Sequence, residues 1–147
     1  MFHRIMVPLD DSELAECAIP TALSLALAFK ASLHLVSVEE LPEQPAPSEW
    51  DLTMGDFFEK KRRQAQERLD RLATSLRSQG VEVTSSILPL GPPVARLLDE
   101  VKPSGVDLIV LHSHGRSGLT RMLWGSVAER LTRHAPCPVM IVHSRTH

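Results

Sequence analysis

Residues 107–126 read DLIVLHSHGRSGLTRMLWGS. Leu108 to Leu111 is an unbroken apolar run opened by Asp107, as expected for a central parallel strand covered on both faces. It runs into a loop carrying His112, Ser113, His114, Gly115, Arg116, Ser117 and Gly118, and a helix is expected near Ser126 to Arg133. A buried strand, a glycine-bearing loop and a helix follow one another as in a βαβ unit, and that order sets the fold class.

The same alternation extends in both directions. Strands are expected at Ile5 to Leu9, Ser32 to Val38, Val81 to Leu88, Leu108 to Leu111 and Val139 to Val142. Asp10-Asp11-Ser12 offers N-cap residues for a helix rich in Ala and Leu lasting to about Phe29, with Pro20 expected to kink it or displace its start. Ala65, Leu69, Leu72, Ala73 and Leu76 recur every three or four residues, marking one face of a helix over about Phe57 to Gln79 that Gly80 stops. Gly91-Pro92-Pro93 starts a short helix carrying Val94, Leu97, Leu98 and Val101, which Lys102-Pro103-Ser104-Gly105 ends. Pro42, Pro45 and Pro47 mark the longest irregular stretch, with Trp50 and Met54 just after it, a surface connection or a flap beside a site. The reading is α/β, an open parallel sheet with helices on both faces, in a single domain over 1–147.

In such a sheet, ligands bind beyond the carboxyl ends of the strands, where neighbouring connections diverge. Asp10 and the loop from His112 to Gly118 both lie at such ends, and they share a crevice if the first and fourth strands are neighbours. Gly115 and Gly118 let backbone amides approach an anion, and Gly125-Ser126 at a helix start would add free amides and a hydroxyl. The structural alternatives are a tight loop and a capping box, Ser126 with Glu129.

Other chemistries find less support. No glycine-rich loop ends in Lys followed by Ser or Thr, and no dinucleotide fingerprint follows the first strand. His112, His114 and His134 lack a zinc spacing, and Ser113 and Ser117 lack the elbow of a hydrolase nucleophile. The formal charge of -2 argues against nucleic acid, and the run Lys60-Lys61-Arg62-Arg63, interleaved with Glu59 and Glu67, reads as a solvated helix face. Cys17 and Cys137 lack metal or redox pairing and are expected in the core. No apolar stretch reaches the roughly 18 residues of a membrane span, and the N-terminal residues do not read as a signal peptide, so a cytoplasmic protein is expected.

The segment from Asp107 through Gly118, Gly125-Ser-Val-Ala-Glu-Arg, Ala135-Pro-Cys-Pro-Val and the opening Ile5-Met-Val-Pro-Leu-Asp-Asp-Ser closely resembles the universal stress protein family. The resemblance covers nearly the whole chain. It implies a five-stranded sheet ordered 3-2-1-4-5, of the adenine nucleotide alpha hydrolase-like kind, and ATP as ligand, with Mg2+ or Mn2+ as possible companions. The family motif is glycine, two residues, glycine, nine residues, then glycine and Ser or Thr. Its later elements fall on Gly115, Gly125 and Ser126, and its first position is His112, an imidazole where the family has glycine.

The resemblance implies a nucleotide site of Pro8, Leu9, Asp10, Val38, Leu111, His112, His114, Gly115, Gly118, Gly125, Ser126 and Val127. Asp10 would meet the ribose or the metal, Val38 the adenine through its backbone, and Gly115, Gly125 and Ser126 the phosphates. A homodimer through Val139 to Val142 is implied too, which would cover an apolar sheet edge. The expected function is an ATP-binding regulatory protein of the stress response. The alternatives are a dimeric interaction module without nucleotide and a slow ATP hydrolase using His112, His114 or Asp10.

Overall fold

The computed structural model describes residues 1–40, 54–113 and 121–143, with backbone alone for 54 and 121–125. Its elements follow the alternation of the sequence: β1 (Arg4–Leu9), a 3₁₀ turn (Ala15–Ala18), α1 (Ile19–Phe29), β2 (Ser32–Val38), α2 (Met54–Arg77), β3 (Val83–Leu88), α3 (Pro93–Ser104), β4 (Leu108–His112), α4 (Arg121–His134) and β5 (Val139–Val142). The five strands form one parallel sheet in the order β3-β2-β1-β4-β5.

Alternation along the strands sends side chains to two cores. Ile5, Val7, Leu33, Leu35, Leu108 and Val110 pack with Ala22 and Ala26 of α1 and Leu69, Ala73 and Leu76 of α2. Met6, Val36, Ile109 and Leu111 pack on the opposite face with Val94, Leu97 and Val101 of α3 and Val127, Ala128 and Leu131 of α4. Helices therefore cover both faces.

Pro20 displaces a helix start. Its ring occupies the first turn of α1, where a missing N–H costs nothing, and the preceding residues form the 3₁₀ turn instead. α3 ends on Gly105, whose φ of +70° is the left-handed conformation that closes a helix at little cost to glycine. Cys17 is exposed rather than in the core, because it lies on the outer side of the 3₁₀ turn while Ala15 and Ala18 point inward. Among the described residues no helix is long and apolar enough to cross a membrane.

The entry ends of the strands are closed by polar ties. Asp107, just before β4, accepts the backbone N–H groups of His3 and Arg4 at 2.8–3.1 Å, and its Oδ2 lies 3.2 Å from His3 Nδ1. Burial works to raise the Asp107 pKa, but these hydrogen bonds outweigh it and hold the carboxyl below the usual range. Beneath α3, buried His34 places Nε2 2.9 Å from Glu100 Oε1 and Nδ1 2.8 Å from the Thr84 hydroxyl, which also accepts from Arg4 Nη2 at 2.8 Å. Ser104 donates to the same Glu100 oxygen at 2.7 Å. Here too burial pushes the Glu100 carboxyl up, and Ser104, His34 and Arg4 bring it below its ordinary value.

Candidate functional site

At the exit ends of β1 and β4 the sheet opens. The β1–β2 ladder runs to Leu9↔Ser37, whereas the β1–β4 ladder stops at Met6↔Ile109. Proline explains the difference. The Arg4 carbonyl accepts from Asp107 N, so Arg4, Met6 and Pro8 turn their backbone groups toward β4, and Pro8 has no N–H to donate there. Pairing lapses at the central crevice of the sheet while the β2 side stays closed, and β1 and β4 are the neighbours that a shared site requires.

Asp10 follows β1 at this opening. It is 4% exposed, and its Oδ1 accepts from Ser12 N at 2.8 Å and from the Ser12 hydroxyl, forming an Asx turn. Ser12 in turn accepts from Ala15 N at 3.2 Å and leads into the 3₁₀ turn. Asp10 Oδ2 is buried with no partner among the described residues, and the same holds for the hydroxyl of Ser113 at the end of β4. Unpartnered buried polar atoms are costly, so two of them beside one opening mark a place where donors or a cation from beyond the described residues would be stabilising.

Beside Asp10 lies a cleft of about 150 Å³. One wall is Asp10, Asp11, Ser37 and Val38 at the end of β2, and Glu39 and Glu40 just after it; the other is α2, through Phe57, Phe58, Lys61, Arg62, Gln64, Ala65 and Arg68. Arg68 donates to the Asp10 carbonyl at 3.2 Å, and Lys61 Nζ stands 5.7 Å from the Phe57 ring centroid. Arg62 is paired with Glu39. The α2 wall was not anticipated from the sequence. Lys61 and Arg62 belong to the run read as a solvated face; they are exposed, yet they border the cleft because α2 docks against the end of β2. Two of the chain's four phenylalanines heading the apolar stripe of α2 were the available signal.

The other sequence-derived residues distribute unevenly. Asp10 and Val38 share the cleft. Pro8, Leu9, Leu111 and Val127 are buried, and the side chains of Leu9, Leu111 and Val127 belong to the cores. His112, expected in the loop, is instead the last residue of β4, paired with Val142 and 2% exposed. Alternation puts its ring on the face of Leu108 and Val110, toward α1, so the imidazole stands in the sheet and leaves its backbone at the exit. His114, Gly115 and Gly118 lie outside the described residues, as do Pro42, Pro45, Pro47 and Trp50.

The last helix corrects another expectation. It begins at Arg121, so Gly125 and the exposed Ser126 occupy its second turn, and neither stands at the N-terminus. Arg121, Met122 and Leu123 are good helix formers, and a single glycine costs only about 1 kcal/mol inside a helix, too little to stop it. Glu129 pairs with Arg133 at 2.9 Å on the exposed surface, as i,i+4 neighbours do, and no capping box with Ser126 is formed. Among the described residues no group of three or more His, Cys, Asp or Glu is placed to hold a metal ion.

The universal stress protein family model matches residues 1–143. A universal stress protein of Methanocaldococcus jannaschii, MJ0531, is 30% identical over 145 residues, spanning 97% of this chain and 82% of that protein. Among solved structures, UspA of Lactobacillus plantarum has a TM-score of 0.79 at 23% identity, covering 96% of this chain and 97% of its own. A universal stress protein solved in complex with cAMP has a TM-score of 0.71 at 20% identity, covering 98% and 99%. Those two likenesses speak for the fold, an open parallel sheet of five strands with helices on both faces. Since the family match spans all ten elements and the exit crevice as well, the chain belongs to the universal stress protein family.

Proposed function

We propose that the chain is a regulatory protein that binds an adenine nucleotide, ATP foremost, at the exit ends of β1, β2 and β4. The observation that carries this reading is the buried, unpartnered Oδ2 of Asp10, a residue that lines the cleft together with Val38. A ribose hydroxyl supplies the donor that this oxygen lacks, and the half-buried end of β2 offers backbone and apolar surface to a flat base. The nucleotide in the cAMP-bound neighbour supports adenine as the base, since that protein has the same fold. Pro8, Leu9, Leu111, His112 and Val127 would frame the crevice, with His114, Gly115, Gly118, Gly125 and Ser126 toward the phosphates.

The residues fit a divalent cation only in company. Asp10 Oδ2 is one hard oxygen ligand, and Mg2+ or Mn2+ would need phosphate oxygens and water for the rest of its shell. When bound with ATP, the cation supplies charge neutralisation at the phosphates; the protein's part is to hold Asp10 in its Asx turn. β5 is a sheet edge with Met140 exposed, which supports a homodimer through Val139 to Val142 whose state the nucleotide would influence. Mass spectrometry of small molecules released from the freshly purified full chain, followed by calorimetric titration with ATP, tests the reading. Gly125→Ala and Ser126→Ala should weaken binding; absence of binding up to about 1 mM ATP, an affinity worth only about 4 kcal/mol, would refute it.

A further inference from the structure

A nucleotide in this cleft meets a difficulty of charge. Asp10, Asp11, Glu39 and Glu40 line the cleft against Lys61, Arg62 and Arg68, four carboxylates facing three cations. A phosphate-bearing ligand is itself an anion. Glu39 directly follows Val38 and its side chain is only 14% exposed, so little water screens it.

Arg62 answers that carboxylate. Both Nε and Nη2 of its guanidinium reach Glu39 Oε1, across the cleft from α2 to the end of β2. The pair is not an ordinary helix-surface contact. The acidic neighbour of Arg62 on its own helix, Glu59, is taken by Arg63 at 4.0 Å, and Arg62 reaches 23 residues back along the chain instead. The other two cations have different partners, Arg68 the Asp10 carbonyl and Lys61 the Phe57 ring. With its own side chain 62% exposed, Arg62 contributes little to stability through an ion pair of this kind.

We propose that Arg62 is a positioning residue for ligand selection, a role that rests on the nucleotide reading of the cleft: by neutralising Glu39 it lets the cleft accept a nucleotide bearing several negative charges. Without it, the repulsion would scale with ligand charge and leave an uncharged nucleoside unaffected.

The test is calorimetric titration of the full-length protein with ATP, AMP and adenosine. Arg62→Ala is expected to weaken ATP about tenfold and AMP about threefold, to leave adenosine within about twofold, and to lose most of these differences at about 1 M salt. Arg62→Ala combined with Glu39→Gln should return ATP affinity to within about threefold of wild type, since the carboxylate to be masked is gone. An Arg62→Ala protein that binds ATP as wild type does overturns the proposal, as does equal weakening for all three ligands. A double variant as weak as the single one also overturns it, because Arg62 would then be acting on the ligand directly. These results leave the nucleotide site standing, whereas a wild-type protein that binds none of the three ligands overturns both.

Discussion

Two aspartates at opposite ends of the sheet are handled in opposite ways. Asp107, at the entry to β4, has both oxygens engaged by His3 and Arg4. Asp10, at the exit of β1, is far more buried and yet keeps one oxygen without a partner among the described residues. Burial without satisfaction is the costlier arrangement, so the two carboxylates contrast, Asp107 completed by the fold and Asp10 left incomplete, although Arg4 Nε at the entry end is buried and unpartnered too. Backbone pairing says the same, since Arg4 bonds to the entry of β4 while Pro8 cannot pair with its exit.

The largest expected effect is at the entry end. Asp107→Ala leaves the His3 and Arg4 amides without their acceptor and should cost about 2–3 kcal/mol in urea unfolding, with ATP affinity within about twofold of wild type. An equal loss of affinity would abolish the distinction. Asp10→Asn should do the reverse: it keeps an acceptor for Ser12 and removes the buried charge, so stability changes by less than about 1 kcal/mol while ATP weakens about tenfold, the equivalent of about 1.4 kcal/mol. A variant that unfolds readily but binds ATP normally would make Asp10 another structural tie.

Acid sharpens the contrast. Asp107 and Glu100 both have pKa values lowered in the folded state, so their stabilisation is present above the ordinary carboxylate values, 3.8 and 4.5, and is lost as pH falls through and below them. Stability should therefore decline from about pH 5 to pH 3, and the decline should be shallower in Asp107→Asn. Unfolding midpoints at several pH values measure it; a slope equal to wild type would contradict the role given to Asp107. The smallest effect concerns α4, where Gly125→Ala should raise thermal stability by about 0.5–1 kcal/mol through helix propensity while weakening ATP.

Much of this architecture is legible in the sequence because it rests on local patterns. Leu108 to Leu111 reads as a buried strand because every side chain there is apolar, and Leu69, Ala73 and Leu76 reveal the inner face of α2 by spacing alone. The strand order came from family resemblance, since periodicity says nothing about which strands are neighbours. Asp10 was legible as a site residue by its place after β1, whereas the unpartnered oxygen depends on how Ser12 folds back. Lys61 and Arg62 escaped notice because a charged run looks alike on any exposed helix, and only the docking of α2 beside Glu39 gives it a cleft to line. Gly125 misleads in the other direction: a glycine suggests a boundary where good helix formers before it carry the helix through.

Hydrogen exchange of the full-length protein, with and without saturating ATP, compares the two ends in one experiment. ATP should slow exchange at Asp10 to Ser12, Ser37 to Glu40 and His112 to Ser113, and leave His3 to Ile5 and Asp107 to Leu108 unchanged. Protection confined to the entry end, or none at either end, would contradict the assignment of the exit crevice as the nucleotide site.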